Sequence, residues 1–116
     1  AMQYNLKEIS VPATCKEVTV TLNHTGKLPV ANMGHNWVLA NTADYQAVAT
    51  AGMSAGVDHD YLPKDDARIL AHTKLVGGGE STSVTFKTEG LAGKDLTFFC
   101  SFPGHFAMMK GAFKVG

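Results

Sequence analysis

The sequence contains no apolar run that approaches the roughly 20 residues needed to cross a bilayer. It also lacks an excess of either charge, since ten basic and ten acidic residues give a formal net charge of zero. A neutral chain has no bulk electrostatic attraction for nucleic acid or for an anionic membrane. We therefore predict a protein with no membrane span and no nucleic-acid partner.

No internal repeat, low-complexity tract or linker divides the 116 residues. That length can bury one hydrophobic core but not two, so we predict a single domain over residues 1–116. No secretory leader is recognisable at the start, and we expect the sequence either to lack one or to be the mature form.

Cysteine is scarce, with only Cys15 and Cys100 present. One interpretation is a Cys15–Cys100 disulfide in a metal-free structural β domain. Two cysteines do not decide the matter by their spacing, and the interpretation stays open here.

Short runs of alternating apolar and polar residues, separated by Gly, Pro and Asn, make up most of the chain. Alternation of this kind predicts strands with one buried face, and the clearest example places Val18, Val20 and Leu22 on one side. We predict an all-β protein, a Greek-key β-sandwich or barrel. The predicted strands cover residues 4–11, 16–24, 35–40, 69–72, 83–88, 95–100 and 111–115.

One Ala-rich stretch, residues 41–56, shows no alternation. It predicts a short helical insertion around residues 42–55. Asn41 or Thr42 would cap its start, and Gly52 or Gly56 would end it.

Three other patterns give weak support for chemistry. The Gly-rich segment 76–81 lacks the Lys-Ser/Thr of a phosphate-binding loop. The carboxylates of residues 58–61 and 64–68 lack the regular spacing of a hard-cation site. Cys100 with His105 would make a nucleophile and base, but Cys100 ends an apolar strand instead of starting a helix, where reactive thiols are often found.

The segment CSFPGHFAMMKG, residues 100–111, brings three metal-binding side chains into ten residues: Cys100, His105 and Met109. Thiolate, imidazole and thioether together favour copper, and two histidines, one cysteine and a distant methionine form the blue-copper pattern. A second histidine must come from elsewhere in the chain. His35 is preferred among the remaining four because it follows a glycine and precedes a strongly apolar strand.

The motifs MGHNWVL and FFCSFPGHFAMMKG closely resemble those of the azurins, bacterial blue copper proteins of the cupredoxin family. The resemblance continues through VTLNHTGKLP, DYLPKDDARILAHTKLVGGGE and SVTF and covers nearly the whole chain. It implies a cupredoxin fold and one copper ion, with His35, Cys100 and His105 as equatorial ligands, Met109 as the weak axial ligand and the Gly34 carbonyl opposite it.

The resemblance also assigns residues around the ligands. Asn36 would brace the ligand loops through Ser101, and the backbone N–H groups of Asn36 and Phe102 would point at the Cys100 sulfur. His24 would lie near the site without binding copper. An apolar surface around His105 would dock partners: Met2, Leu28, Met33, Met53, Phe102, Pro103, Phe106, Ala107 and Met108.

The function implied is one-electron transfer in the periplasm, without enzymatic activity, to redox proteins such as a c-type cytochrome or a reductase. A copper-storage or delivery protein is the alternative with similar ligands. Azurins carry a further N-terminal strand whose cysteine pairs with the one matching Cys15. Because this sequence starts after that strand, we expect a monomer that dimerises through a free Cys15 or an exposed sheet edge.

Overall fold

The computed structural model describes residues 4–116, with the side chains of residues 31 and 32 excepted, so Met2 lies outside the described residues. Two sheets and two short α-helices make up this part of the chain. The strands are β1 (Glu8–Val11), β2 (Glu17–Asn23), β3 (Val38–Asn41), β4 (Ala71–His72), β5 (Ser81–Lys87), β6 (Leu96–Phe99) and β7 (Lys110–Val115). The helices are α1 (Val30–Met33) and α2 (Tyr45–Met53), followed by a 3₁₀ turn (Val57–His59).

The larger sheet has the strand order β1-β7-β6-β3-β4, and the smaller one pairs β2 with β5. Strand β1 runs parallel to β7, with Ile9 opposite Phe113, and the other pairings are antiparallel. Strands outnumber the short helices among the described residues and form two sheets around a common core, which confirms the predicted all-β sandwich.

The main core lies between the two sheets and is built on aromatic rings. Trp37 stacks on Phe86 and Phe98, with ring centroids 5.8 and 5.7 Å apart, and meets Phe113 edge-on at 5.9 Å. The smaller sheet contributes one face of alternating side chains, as the sequence pattern predicts. Cys100 and Met109 belong to this same core cluster, so the packing that stabilises the sandwich also surrounds the predicted site.

A second core cluster lies under helix α2, on the opposite face of the larger sheet. Val48 and Ala49 of the helix belong there to one cluster with Val38 of β3 and Phe99 of β6. Gly52 faces the backbone of Tyr61, and a Cβ atom at this position would overlap the Tyr61 carbonyl oxygen. The helix can therefore lie this close to the following loop only because residue 52 has no side chain.

The structure changes several predicted boundaries. Residues 4–7 and 35–37 lie outside the strands, and His35 forms only an isolated bridge with Val76. Helix α2 lies within the predicted insertion, but its capping residue is Asp44, without a side-chain cap, so the prediction of Asn41 or Thr42 is wrong. The Thr42 hydroxyl instead donates to the Asp95 carboxylate at 2.9 Å.

Helix α1 was not predicted, because four residues are too few to show a helical period. Across residues 4–116 no helix combines the length and the apolar character needed to traverse a bilayer.

Candidate metal centre

Three buried side chains that are distant in sequence meet at one end of the sandwich. The donor atoms of His35, Cys100 and His105 all lie within 4.8 Å of one another. His35 precedes β3 and is fixed by two backbone hydrogen bonds with Val76, at 2.9 and 2.8 Å. Cys100 directly follows β6, and His105 lies in the turn between β6 and β7. The larger sheet and its connections therefore supply all three donors.

The turn that carries His105 is held by its own backbone. The Cys100 N–H donates to the Met109 carbonyl at 3.0 Å, and the Met109 N–H donates to the His105 carbonyl at 2.8 Å. Gly104 has a φ of +84°, in the left-handed region that glycine adopts without strain. Met109 is 1% exposed. The turn thus fixes the backbone positions of Cys100, His105 and Met109 relative to one another.

The Cys100 sulfur lies close to His105 and to the backbone of Gly34. It is 3.6 Å from His105 Nδ1 and 3.8 Å from the Gly34 carbonyl oxygen. Burial raises the pKa of the Cys100 thiol to about 11, although hydrogen bonds from the backbone N–H groups of Asn36 and Phe102 act to lower it. A thiol so buried is not reactive by itself, but a cation that replaces its proton would be held by a dry, preorganised site.

The disulfide interpretation is wrong. Cys15 is exposed, Cys100 is buried, and both are free thiols.

The two site histidines are buried in a form suited to metal binding. Burial, followed by the neighbouring His24 and His105, lowers the pKa of His35 from 6.5 to about 4. Burial also lowers the pKa of His105. The neutral imidazole is the metal-binding form of histidine. Nδ1 of His35 is buried and lacks a hydrogen-bond partner among the described residues, which suits an atom that would bind a metal ion.

His24 lies directly behind His35 and outside the donor cluster. The two rings stack with centroids 4.1 Å apart. His24 Nε2 is 2.6 Å from the Met33 carbonyl oxygen, and its Nδ1 accepts the Gly26 N–H at 3.1 Å. Both nitrogens of His24 are therefore engaged with the backbone, so neither is available to bind a metal ion.

Asn36 connects the two halves of the site. Its side-chain amide donates to Ser101 Oγ at 2.8 Å and accepts the Ser101 N–H at 2.8 Å. The Tyr4 hydroxyl donates to the Asn36 backbone carbonyl. Asn36 and Ser101 are both essentially inaccessible to solvent, so this reciprocal pair joins the His35 segment to the Cys100 segment in a dry interior.

Asp60 is a site residue that the sequence analysis missed. Its backbone carbonyl accepts from Asn36 Nδ2 at 3.2 Å and Ser101 Oγ at 3.1 Å, and its carboxylate accepts the Leu75 N–H at 3.1 Å. Asp60 has a φ of +57°, which Asp tolerates better than most residues. The sequence shows only an acidic loop here, with no periodic pattern that would place it against Asn36.

The predicted docking residues are exposed to different degrees. Leu28, Met53 and Met108 are 52%, 45% and 53% exposed, and Ala107 is also exposed. The remaining described members are half-buried: Met33, Phe102, Pro103 and Phe106. Phe102 stacks on the His105 ring at 4.5 Å, while His105 itself is only 4% exposed.

The donor set fits copper better than other metals. A thiolate, two imidazoles and a nearby thioether are soft or borderline ligands. Carboxylate and water ligands, which Mg²⁺ and Ca²⁺ prefer, are not part of the cluster among the described residues.

Comparison with known proteins agrees with this chemistry. The family described as copper binding proteins, plastocyanin/azurin family, matches residues 1–116. The azurin of Bordetella pertussis is 60% identical over 98% of this chain and 77% of its own length. Azurin-1 of Alcaligenes xylosoxydans xylosoxydans is 56% identical over 98% of this chain and 89% of its own.

A solved structure of the azurin Az-iso2 from Methylomonas sp. strain J matches all of this chain and 91% of that one, with a TM-score of 0.95 and 48% identity. The similarity spans both sheets and the site. The chain therefore belongs to the copper-binding plastocyanin/azurin family, whose members are electron carriers and not enzymes.

Proposed function

We propose that this protein carries one electron at a time between redox proteins through a single copper ion held by His35, Cys100 and His105. The observation that carries the proposal is the buried cluster of their three donor atoms within 4.8 Å. Met109 and the Gly34 carbonyl would complete the set of groups that hold the ion.

Copper would supply the one-electron change between Cu(II) and Cu(I). The chain's own residues supply the rest. The N–H groups of Asn36 and Phe102 stabilise negative charge on the Cys100 sulfur, as charge-assisted hydrogen bonds do. The Asn36–Ser101 pair keeps the two ligand segments in one arrangement, so little of the protein needs to reorganise when the charge changes.

Burial of the donors favours electron transfer over copper delivery. His35, Cys100 and His105 are 6%, 0% and 4% exposed, whereas a delivery site needs an accessible metal for rapid exchange. Copper should therefore leave slowly when a strong chelator is added to the loaded protein. Loss within seconds would favour the storage or delivery function instead.

Partners would dock at the apolar surface around His105. Phe102 stacks on the His105 ring, and Ala107 and Met108 follow it on the exposed side of the turn. Redox encounters of this kind bury less than about 1,200 Å², which suits a c-type cytochrome or a reductase that binds briefly. The periplasm is the proposed location, by analogy with the azurins.

A charged substitution within this apolar surface tests whether partners dock there. Met108→Glu should slow electron exchange with a c-type cytochrome by roughly tenfold, because a desolvated charge opposes an apolar contact. Leu70→Glu is the matched control, since Leu70 is 37% exposed and lies before β4, outside the proposed surface. Equal rates for the two variants would refute this docking surface.

The protein itself is proposed to be a monomer that can dimerise in two ways. Cys15 is an exposed free thiol, and β2 pairs only with β5 among the described strands, which leaves its other edge available for pairing.

The central experiment is a titration of Cu(II) into the metal-free protein, followed by visible absorption. An intense blue band that saturates at one copper per chain and is bleached by ascorbate would support the proposal. Cys100→Ser should abolish the band, and Cys15→Ser should leave it intact. A pale spectrum in the parent protein would count against a thiolate-bound copper and hence against the proposed function.

A further inference from the structure

Tyr45 lies at the start of α2, on the face of the larger sheet opposite the proposed metal centre. It is 8% exposed. Phe99 of β6 and Lys110 of β7 are direct cross-strand partners, so their side chains share one face of the sheet. Phe99 belongs to the cluster under α2, whereas Cys100 belongs to the cluster between the sheets. Tyr45 therefore packs behind the strand ends that carry the proposed ligands.

Three contacts of Tyr45 reach residues next to the proposed ligands. Its ring lies 5.7 Å from the Phe99 ring and 6.4 Å from the Phe106 ring, both inclined as aromatic pairs prefer. Its hydroxyl accepts a hydrogen bond from Lys110 Nζ at 3.2 Å, and the same ammonium lies 5.6 Å from the ring centroid. Phe99, Phe106 and Lys110 directly adjoin Cys100, His105 and Met109 in sequence.

We infer that Tyr45 is a positioning residue for the metal centre, which fixes the three segments that bear Cys100, His105 and Met109 from behind. One rigid ring contacts all three neighbours. A displacement of one segment must therefore disturb the packing of the other two. This inference rests on the proposed function, because it assigns those side chains as ligands.

The aromatic ring of Tyr45, more than its hydroxyl, should fix the positions of the three segments. Two of the three contacts are made by the ring face or edge, and the ring also lies under the Lys110 ammonium. The hydroxyl has a second donor in Gln46 at 3.4 Å, and Lys110 is exposed to water. Removal of the hydroxyl leaves no strongly buried donor without a partner.

The test compares three variants in a Cys15→Ser background: Tyr45→Phe, Tyr45→Ala and Val48→Ala. Val48 is the matched control, because it lies one turn further along α2 in the same cluster and is fully buried. The metal-free readout is the rate at which Cys100, then the sole thiol, reacts with a thiol reagent. The copper-loaded readouts are the position of the thiolate–copper absorption band, the reduction potential and the rate of copper loss to a chelator.

Tyr45→Ala should increase both the thiol reaction rate and the copper loss rate by about tenfold, the lower end of the range for residues that orient metal ligands. It should also shift the band and the potential. Tyr45→Phe should stay within about twofold of the parent in both rates. Val48→Ala should lower the unfolding midpoint without moving the band or the potential.

Two results would overturn the inference. The first is that Tyr45→Ala and Val48→Ala have the same rates, band and potential when compared at equal unfolding free energy. The second is that both rates increase as much in Tyr45→Phe as in Tyr45→Ala. Failure of the parent protein to bind copper would instead refute the proposed function. The thiol reaction rate would still report on positioning in that case, and equal rates in Tyr45→Ala and Val48→Ala would overturn the inference separately.

Discussion

Replacing Asn36 with leucine measures how strongly one side chain joins the two ligand segments. Leucine has a similar volume but no polar atoms. The change removes the two amide donations, to Ser101 Oγ and the Asp60 carbonyl, and the acceptor of the Ser101 N–H. Asn36 is fully buried, so water cannot take its place without opening the core.

The loss of unfolding free energy depends on which buried polar groups keep a hydrogen-bond partner in the variant. Ser101 Oγ still donates to the Asp60 carbonyl at 3.1 Å, so these two groups keep a partner. The Ser101 N–H loses its acceptor, and an orphaned buried donor costs about 1–3 kcal/mol, while each of the other two bonds contributes about 1 kcal/mol. We therefore expect the metal-free protein to lose about 4 kcal/mol of unfolding free energy.

Equilibrium urea unfolding of the metal-free protein is the assay. Small proteins have m-values of about 1–3 kcal/mol per molar urea, so the midpoint should fall by roughly 2 M. Ser101→Ala should cost about 1 kcal/mol, and the double variant should cost less than the sum because the two residues share bonds. The blue band on copper loading should persist, since the Asn36 backbone N–H remains. A loss below about 1 kcal/mol, or strict additivity, would refute the reasoning.

Three further predictions concern packing, acid stability and dimerisation. Gly52→Ala should destabilise the protein by about 3 kcal/mol in thermal or urea unfolding, because the new methyl group overlaps the Tyr61 carbonyl; an unchanged midpoint would contradict the close approach of α2. His35 has a folded-state pKa of about 4 against 6.5 when unfolded, so the unfolded metal-free chain binds more protons between these values. Its stability should then fall as pH drops from 6.5 to 4, by up to about 3 kcal/mol, and His35→Gln should flatten that part of the profile. Cys15, an exposed thiol, should give a disulfide-linked dimer on non-reducing gels after air oxidation, and Cys15→Ser should run only as monomer.

The fold class, the family and the copper cofactor could all be predicted from the sequence. Alternation at Val18, Val20 and Leu22 is a direct trace of a strand with one face in the core, and the structure has that strand as β2. The spacing of Cys100, His105 and Met109 is local, so a single turn brings their backbones together.

The parts of the site that could not be predicted depend on contacts between distant segments, and such contacts produce no periodic pattern in the sequence. The Asp60 carbonyl meets Asn36 across a loop, and Tyr45 reaches Lys110 across 65 positions. Residues 35–37 directly precede the apolar run of β3, so the sequence predicts a strand that includes them. Their burial comes from the site and the core around Trp37, and a strand ladder does not form there.

The parallel pairing of β1 with β7 has a consequence for how the protein matures. Strand β7 lies between β1 and β6, so the larger sheet cannot close during synthesis until residues 110–115 have left the ribosome. The turn that bears His105 and Met109 connects β6 to β7, so it is held at both ends only after β7 has joined the sheet. A nascent chain interrupted before β7 would contain every donor side chain, but those side chains would not yet be held in a fixed arrangement. Metal should therefore bind after translation and folding are complete.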